Sequence, residues 1–85
     1  MFYTYILESK SVTSDFSRRF YYGHCEEINT RLKRHNSGRV SSTKAYRPWV
    51  VHYFERYTTK SEAYKREMFF KSSEGKKWLR AEQII

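Results

Sequence analysis

Apolar and polar positions along this chain of 85 residues alternate in stretches that each fit one kind of element. Residues 2–7, Phe-Tyr-Thr-Tyr-Ile-Leu, are aromatic and β-branched and predict a strand. Residues 9–17 are rich in Ser and Thr, with Lys10 and Asp15, and read as a loop. A second aromatic run, Phe20-Tyr21-Tyr22, closes at Gly23. Two such strands with a polar connection predict an antiparallel hairpin. From Glu26-Glu27 the period changes. Ile28, Leu32 and His35 recur at i, i+4 and i+7, which marks one face of a helix, and acidic residues at its start suit the helix dipole. Asn36-Ser37-Gly38 ends that helix, with Gly38 able to take the left-handed conformation.

Arg39, Lys44 and Arg47 lie among small polar residues, so residues 39–47 read as a basic loop, which Pro48 closes. Residues 49–54, Trp-Val-Val-His-Tyr-Phe, form the clearest strand pattern. Both of its alternating faces are largely apolar, which predicts cover on both sides. Thr59 with Glu62 three residues on fits a capping box at the start of a second helix carrying Ala63, Glu67, Phe70 and Lys71. Ser72-Ser73 interrupts it and can cap a third helix through Trp78 and Leu79. The order strand, strand, helix, strand, helix, helix predicts one α+β domain over residues 1–85, a three-stranded antiparallel sheet flanked by helices.

Composition changes this picture in two ways. A chain so short buries a modest fraction of its surface, and its one cysteine, Cys25, excludes an internal disulfide. No Cys/His set has zinc-finger spacing, so the core rests on 8 Tyr, 6 Phe and 2 Trp. The unpaired thiol fits a reducing compartment. With no charged-then-apolar leader and no run able to span a bilayer, a cytoplasmic protein with no membrane association is expected. Seventeen Lys/Arg against nine Asp/Glu give a formal charge of +8, a field suited to a polyanion, although solubility alone is the blander reading. The charges are not set opposite one apolar stripe, which argues against a basic membrane-surface peptide.

A set of potentially reactive side chains follows in fixed order: Tyr3-Thr4-Tyr5, Tyr21-Tyr22-Gly23, Arg31, His35 and Glu67. Phosphodiester hydrolysis needs a positioned water, a base, charge to stabilise the pentavalent phosphorus and a proton for the leaving oxygen. Strand alternation groups Tyr21 with Gly23, and a glycine there leaves room for a phosphate or a water. A tyrosine titrates near pH ~10 and needs a cation beside it to act as a base. Arg31 and His35 sit one helical turn apart and can face the same spot, with Arg31 able to grip phosphate bidentately. Each residue also has a plainer role. Strand tyrosines are commonly core residues, a helix arginine in a basic protein is commonly a solvated charge, and a His ending an apolar stripe is commonly a satisfied core residue. Glu67 alone is best explained by an i,i+4 pair with Lys71. Glu62 belongs to the cap, and Glu55, Glu74 and Glu82 are expected on the surface. Lys76, Lys77 and Arg80 form a second basic cluster around Trp78, which is expected to anchor its helix rather than stack on a base.

Taken in order, these motifs resemble the GIY-YIG nuclease family, particularly its small stand-alone bacterial members and the catalytic domain of the family's excinuclease. The resemblance runs from Phe2 to about Leu79 and includes Arg31-Leu32-x-x-His35-Asn36-Ser37-Gly38, Arg47-Pro48-Trp49 and Lys71-Ser72. It implies a sheet with the first strand in the middle and a metal-dependent endonuclease acting on DNA in preference to RNA, with a structure-specific, repair-related role. It also implies site roles. Tyr21 is the general base, Tyr5 helps place nucleophile and phosphate, Arg31 clamps the scissile phosphate, His35 lies near the nucleophile or its tyrosine, as a histidine does in part of the family, and Glu67 is the protein ligand of Mg²⁺ or Mn²⁺. Such thin coordination suits Mg²⁺. Lys33, Arg34, Arg39, Lys44, Arg47 and Lys71 would hold the nucleic-acid backbone. The chain departs from the family pattern with Tyr-Thr-Tyr for Gly-Ile-Tyr, with Tyr22 where Ile is usual, and in having no Asn after Asn36. Specificity would come from substrate shape, or from a homodimer or protein partner. The alternative is a non-catalytic nucleic-acid-binding module on the same fold.

Overall fold

The structure, a computed structural model, describes residues 1–11 and 18–85, so most of the loop expected over 9–17 lies outside the described residues. Strands β1 (Phe2–Ser9), β2 (Phe20–Cys25) and β3 (Trp49–Tyr57) form an antiparallel sheet in the order β2-β1-β3. The helices are α1 (Ile28–Asn36), α2 (Ser41–Lys44), α3 (Lys60–Lys71) and α4 (Ser73–Ala81). The α+β class, the hairpin and the central first strand are as expected.

β1 is the central strand and is covered on both faces. Thr4 through Glu8 are all buried. One face carries Tyr5 and Leu7 with Cys25 and Trp49, and α1 packs onto it through Ile28 and Leu32. The other carries Ile6 with Phe70 and Leu79, under α3 and α4. Phe70 is fully buried and Trp78 stacks on it at 6.3 Å between ring centroids, so Trp78 is an anchor, as expected.

β3, expected to be covered on both sides, is instead an edge strand with Val50 and Phe54 exposed. A β-bulge opposite Ile6/Leu7 explains its apolar pattern. Ile6 pairs with Tyr53 but Leu7 pairs with Val51, so β3 has one extra residue there. Trp49 and Val51 thereby face one helical layer and Tyr53 the other.

Other boundaries also differ from expectation. β2 continues past Gly23 to Cys25. α1 begins at Ile28 with Glu27 as its N-cap, so the two glutamates precede the helix rather than fill its first turn. The basic loop contains the four-residue α2. Gly38 is left-handed at φ +83, and the Thr59/Glu62 capping box is formed. Ser72 caps α4 through the amide of Gly75. A Cβ on Gly75 would collide with the Phe69 carbonyl oxygen, so glycine lets α4 start directly against the end of α3. Glu55, expected on the surface, is partly buried and accepts from Tyr53, Tyr57 and Arg66.

Candidate functional site

Tyr5 reaches from the central strand across the backbone of Gly23, its partner on β2. A Cβ on Gly23 would lie 2.5 Å from the Tyr5 hydroxyl. The space expected to admit a phosphate or a water is therefore filled by Tyr5 itself, and the glycine serves to let that hydroxyl out over the edge strand.

The hydroxyl meets His35, which α1 presents one turn after Arg31. Tyr5 Oη and His35 Nε2 are 3.2 Å apart, and His35 Nδ1 is 3.0 Å from Thr43 Oγ1. The Thr43 hydroxyl donates to the Val40 carbonyl, so it accepts from Nδ1–H. This fixes the tautomer, leaving Nε2 to accept from the Tyr5 hydroxyl. His35 is 1% exposed, as its core reading expects, and is bonded to Tyr5. Burial, with the charges of Arg31 and Arg34, holds its pKa below the usual histidine value, so the ring stays neutral. The Tyr21 ring lies 4.6 Å from that of His35 and 6.3 Å from that of Tyr5.

Arg31 faces the same cluster and lowers the pKa of both Tyr5 and His35. Burial foremost, then the charge of Tyr21, nevertheless raises the Tyr5 hydroxyl well above the ordinary tyrosine value. Arg31 also borders an open cleft of about 420 Å³ shared with Phe2, His24, Cys25, Glu27, Thr30 and Lys60. Tyr5, Tyr21 and His35 do not line this cleft, which adjoins the cluster through Arg31 and Cys25.

Glu67 projects from α3, on the opposite layer from Tyr5, and is 8% exposed. Its carboxylate is held at the β2 edge, where His24 Nδ1 lies 2.6 Å from Oε1 and Lys71 Nζ 2.6 Å from Oε2. The two layers meet there: the Glu67 charge reaches the Tyr5 hydroxyl around the bare Gly23 and contributes to its raised pKa. Each Glu67 oxygen has one protein partner and keeps a second lone pair, which fits a cation carrying mostly water ligands. Among the described residues no three His, Cys, Asp or Glu side chains gather as a metal cage.

Lys33, Arg34, Arg39, Lys44 and Arg47 are all exposed, along α1 and through α2. Arg47 donates to the Lys44 carbonyl. Two site neighbours escape a reading of the sequence. His24 has a signal, since strand alternation sets it on the face opposite Gly23 and toward the Glu67 helix. Thr43 has none, because a serine- and threonine-rich loop gives no clue to which hydroxyl meets the histidine.

A family model described as the GIY-YIG catalytic domain matches residues 1–80. The chain is 45% identical over 53 residues to UPF0213 proteins of two Staphylococcus epidermidis strains, covering 61% of this chain and 65% of each relative. It thus spans just under two thirds of the length of those relatives. It is 43% identical over 61 residues to a UPF0213 protein of Staphylococcus aureus strain Mu3, covering 71% of this chain and 74% of the relative. No solved structure matches the chain.

Proposed function

The chain belongs to the GIY-YIG nuclease family, and from that premise we propose that it is a metal-dependent endonuclease hydrolysing phosphodiester bonds in DNA. The observation that carries this reading is the Tyr5 hydroxyl. It donates to His35, lies beside Tyr21, and stands in the fields of both Arg31 and Glu67. Tyr5, Tyr21 and His35 thus form one cluster, on which the charges of Arg31 and Glu67 bear.

With its proton committed to His35, the Tyr5 oxygen has lone pairs left to orient a water. Tyr21 is the base that takes the proton of that water, and Arg31 grips the phosphate. His35 stays a neutral acceptor and holds Tyr5 in place. Glu67 would hold a divalent cation, Mg²⁺ or Mn²⁺, which supplies Lewis-acid stabilisation of the phosphoryl oxygens. Lys33, Arg34, Arg39, Lys44, Arg47 and Lys71 draw in the backbone of the substrate. A single domain over residues 1–85, DNA rather than RNA, a structure-specific repair role and a cytoplasmic location complete the reading. They rest on the likeness to the excinuclease catalytic domain and on the unpaired Cys25.

One observation favours the non-catalytic alternative, since both oxygens of Glu67 already have partners. A cleavage assay on labelled single strand, duplex, flap and four-way junction, with Mg²⁺, Mn²⁺ or EDTA, decides between them. Metal-dependent cutting that disappears in Glu67→Gln supports the nuclease. Binding without cutting on every substrate supports the binding module.

A further inference from the structure

The cations on α4 are not spread as a merely solvated face would be. Lys76 Nζ lies 4.1 Å over the ring centre of Tyr22, on the free edge strand β2. Arg80 is one turn further along the same face of α4, and its charge is felt by both Tyr22 and Lys76. Lys71, at the end of α3, is the third member and ties the group to Glu67. Among the described residues neither Lys76 nor Arg80 has a carboxylate in ion-pair contact. Burial and then the two neighbouring cations push the Lys76 pKa down, so the cations repel one another there. A bound anion would offset that repulsion.

We propose that Lys76 and Arg80, continuing from Lys71, form a second phosphate-binding ridge, so that a DNA backbone crosses the β2 edge and is gripped from both layers. Arg31 and the α1 cations hold one side of the crossing, and the α4 cations hold the other. Tyr22 serves as the platform that fixes the Lys76 ammonium. This rests on the nucleic-acid reading above but not on catalysis.

The test is binding of a labelled DNA duplex in EDTA over a range of salt concentrations. The variants are Lys76→Gln/Arg80→Gln, Arg80→Gln alone, and the exposed Arg56→Gln on the far edge strand as a control. Each lost phosphate contact flattens the plot of log affinity against log salt by about 0.9. The double variant is expected to be shallower by about 1.8, from two such contacts, with Arg56→Gln unchanged. Arg80→Gln removes an exposed side chain and keeps the Lys76 contact with Tyr22, so its slope is informative even if the double variant folds poorly. A wild-type slope in Arg80→Gln, an equal loss in Arg56→Gln, or no duplex binding by the wild type would overturn the proposal. Cleavage with Mg²⁺, measured in parallel, reports separately on the nuclease.

Discussion

At the scale of single residues, the site depends on which groups share a proton and which carry charge. Tyr21→Phe should lower the cleavage rate at least about a hundredfold, the usual worth of a positioned acid–base group, and Arg31→Ala by about the same, the usual worth of one donor aimed at developing charge. Their melting temperatures should stay near wild type, since neither side chain is fully buried. Gly23→Ala is a sharper probe. Its methyl group would occupy the space of the Tyr5 hydroxyl, and the Tyr5–His35 hydrogen bond would be lost. Activity should fall with that bond. A variant that cuts at the wild-type rate would remove Tyr5 from the mechanism. Much of this cluster was legible, because an Arg and a His one helical turn apart must share a face and strand tyrosines keep a strict alternation. The partners that complete it were less so. Thr43 meets His35 across a turn that sequence does not specify, and the ring of Tyr5 reaches a neighbouring strand whose register only the folded sheet defines.

At the scale of elements, the starts of α3 and α4 are each held by a side-chain cap. Thr59→Ala and Ser72→Ala each remove a side-chain cap and should cost about 0.5–2 kcal/mol by denaturant titration. Gly75→Ala should cost more than either, because its methyl group meets a backbone carbonyl with no room to give. Both caps were readable as serine or threonine ahead of a helical period. The short α2 was not, since four residues are too few to display a period. The exposure of β3 was hidden for a related reason. Apolar residues on both faces ordinarily mean cover on both faces, but here a bulge changes phase in the middle of the strand.

At the scale of the whole molecule, three buried or partly buried groups make acid destabilising. The Glu8 pKa is lowered chiefly by its hydrogen bond with Arg18. Burial raises that of Glu55, but hydrogen bonds from Arg66, Tyr53 and Tyr57 outweigh it and leave a net lowering. Both carboxylates add stability that is present above about pH 4.5 and is lost as pH falls through their folded values. Burial lowers the His35 pKa as well, so the unfolded chain takes up its proton first and stability begins to fall below pH 6.5. Melting temperature should therefore decline from pH 7 to pH 5, and His35→Gln should flatten that upper part of the curve. The bulge in β3 has a consequence at this scale too. It acts as a clutch between two halves of one strand: residues 49–51 answer to the layer holding His35 and Tyr21, and residues 53–57 answer to the layer holding Arg66 and Phe70. Ironing out the bulge with the residue count unchanged would slip residues 49–51 by one position and turn Trp49 out of its pocket, although no contact of the indole itself had been altered, whereas deleting His52 as well would leave Trp49 opposite Ser9. For this strand, residue count on either side of the bulge is a stricter inheritance than residue identity.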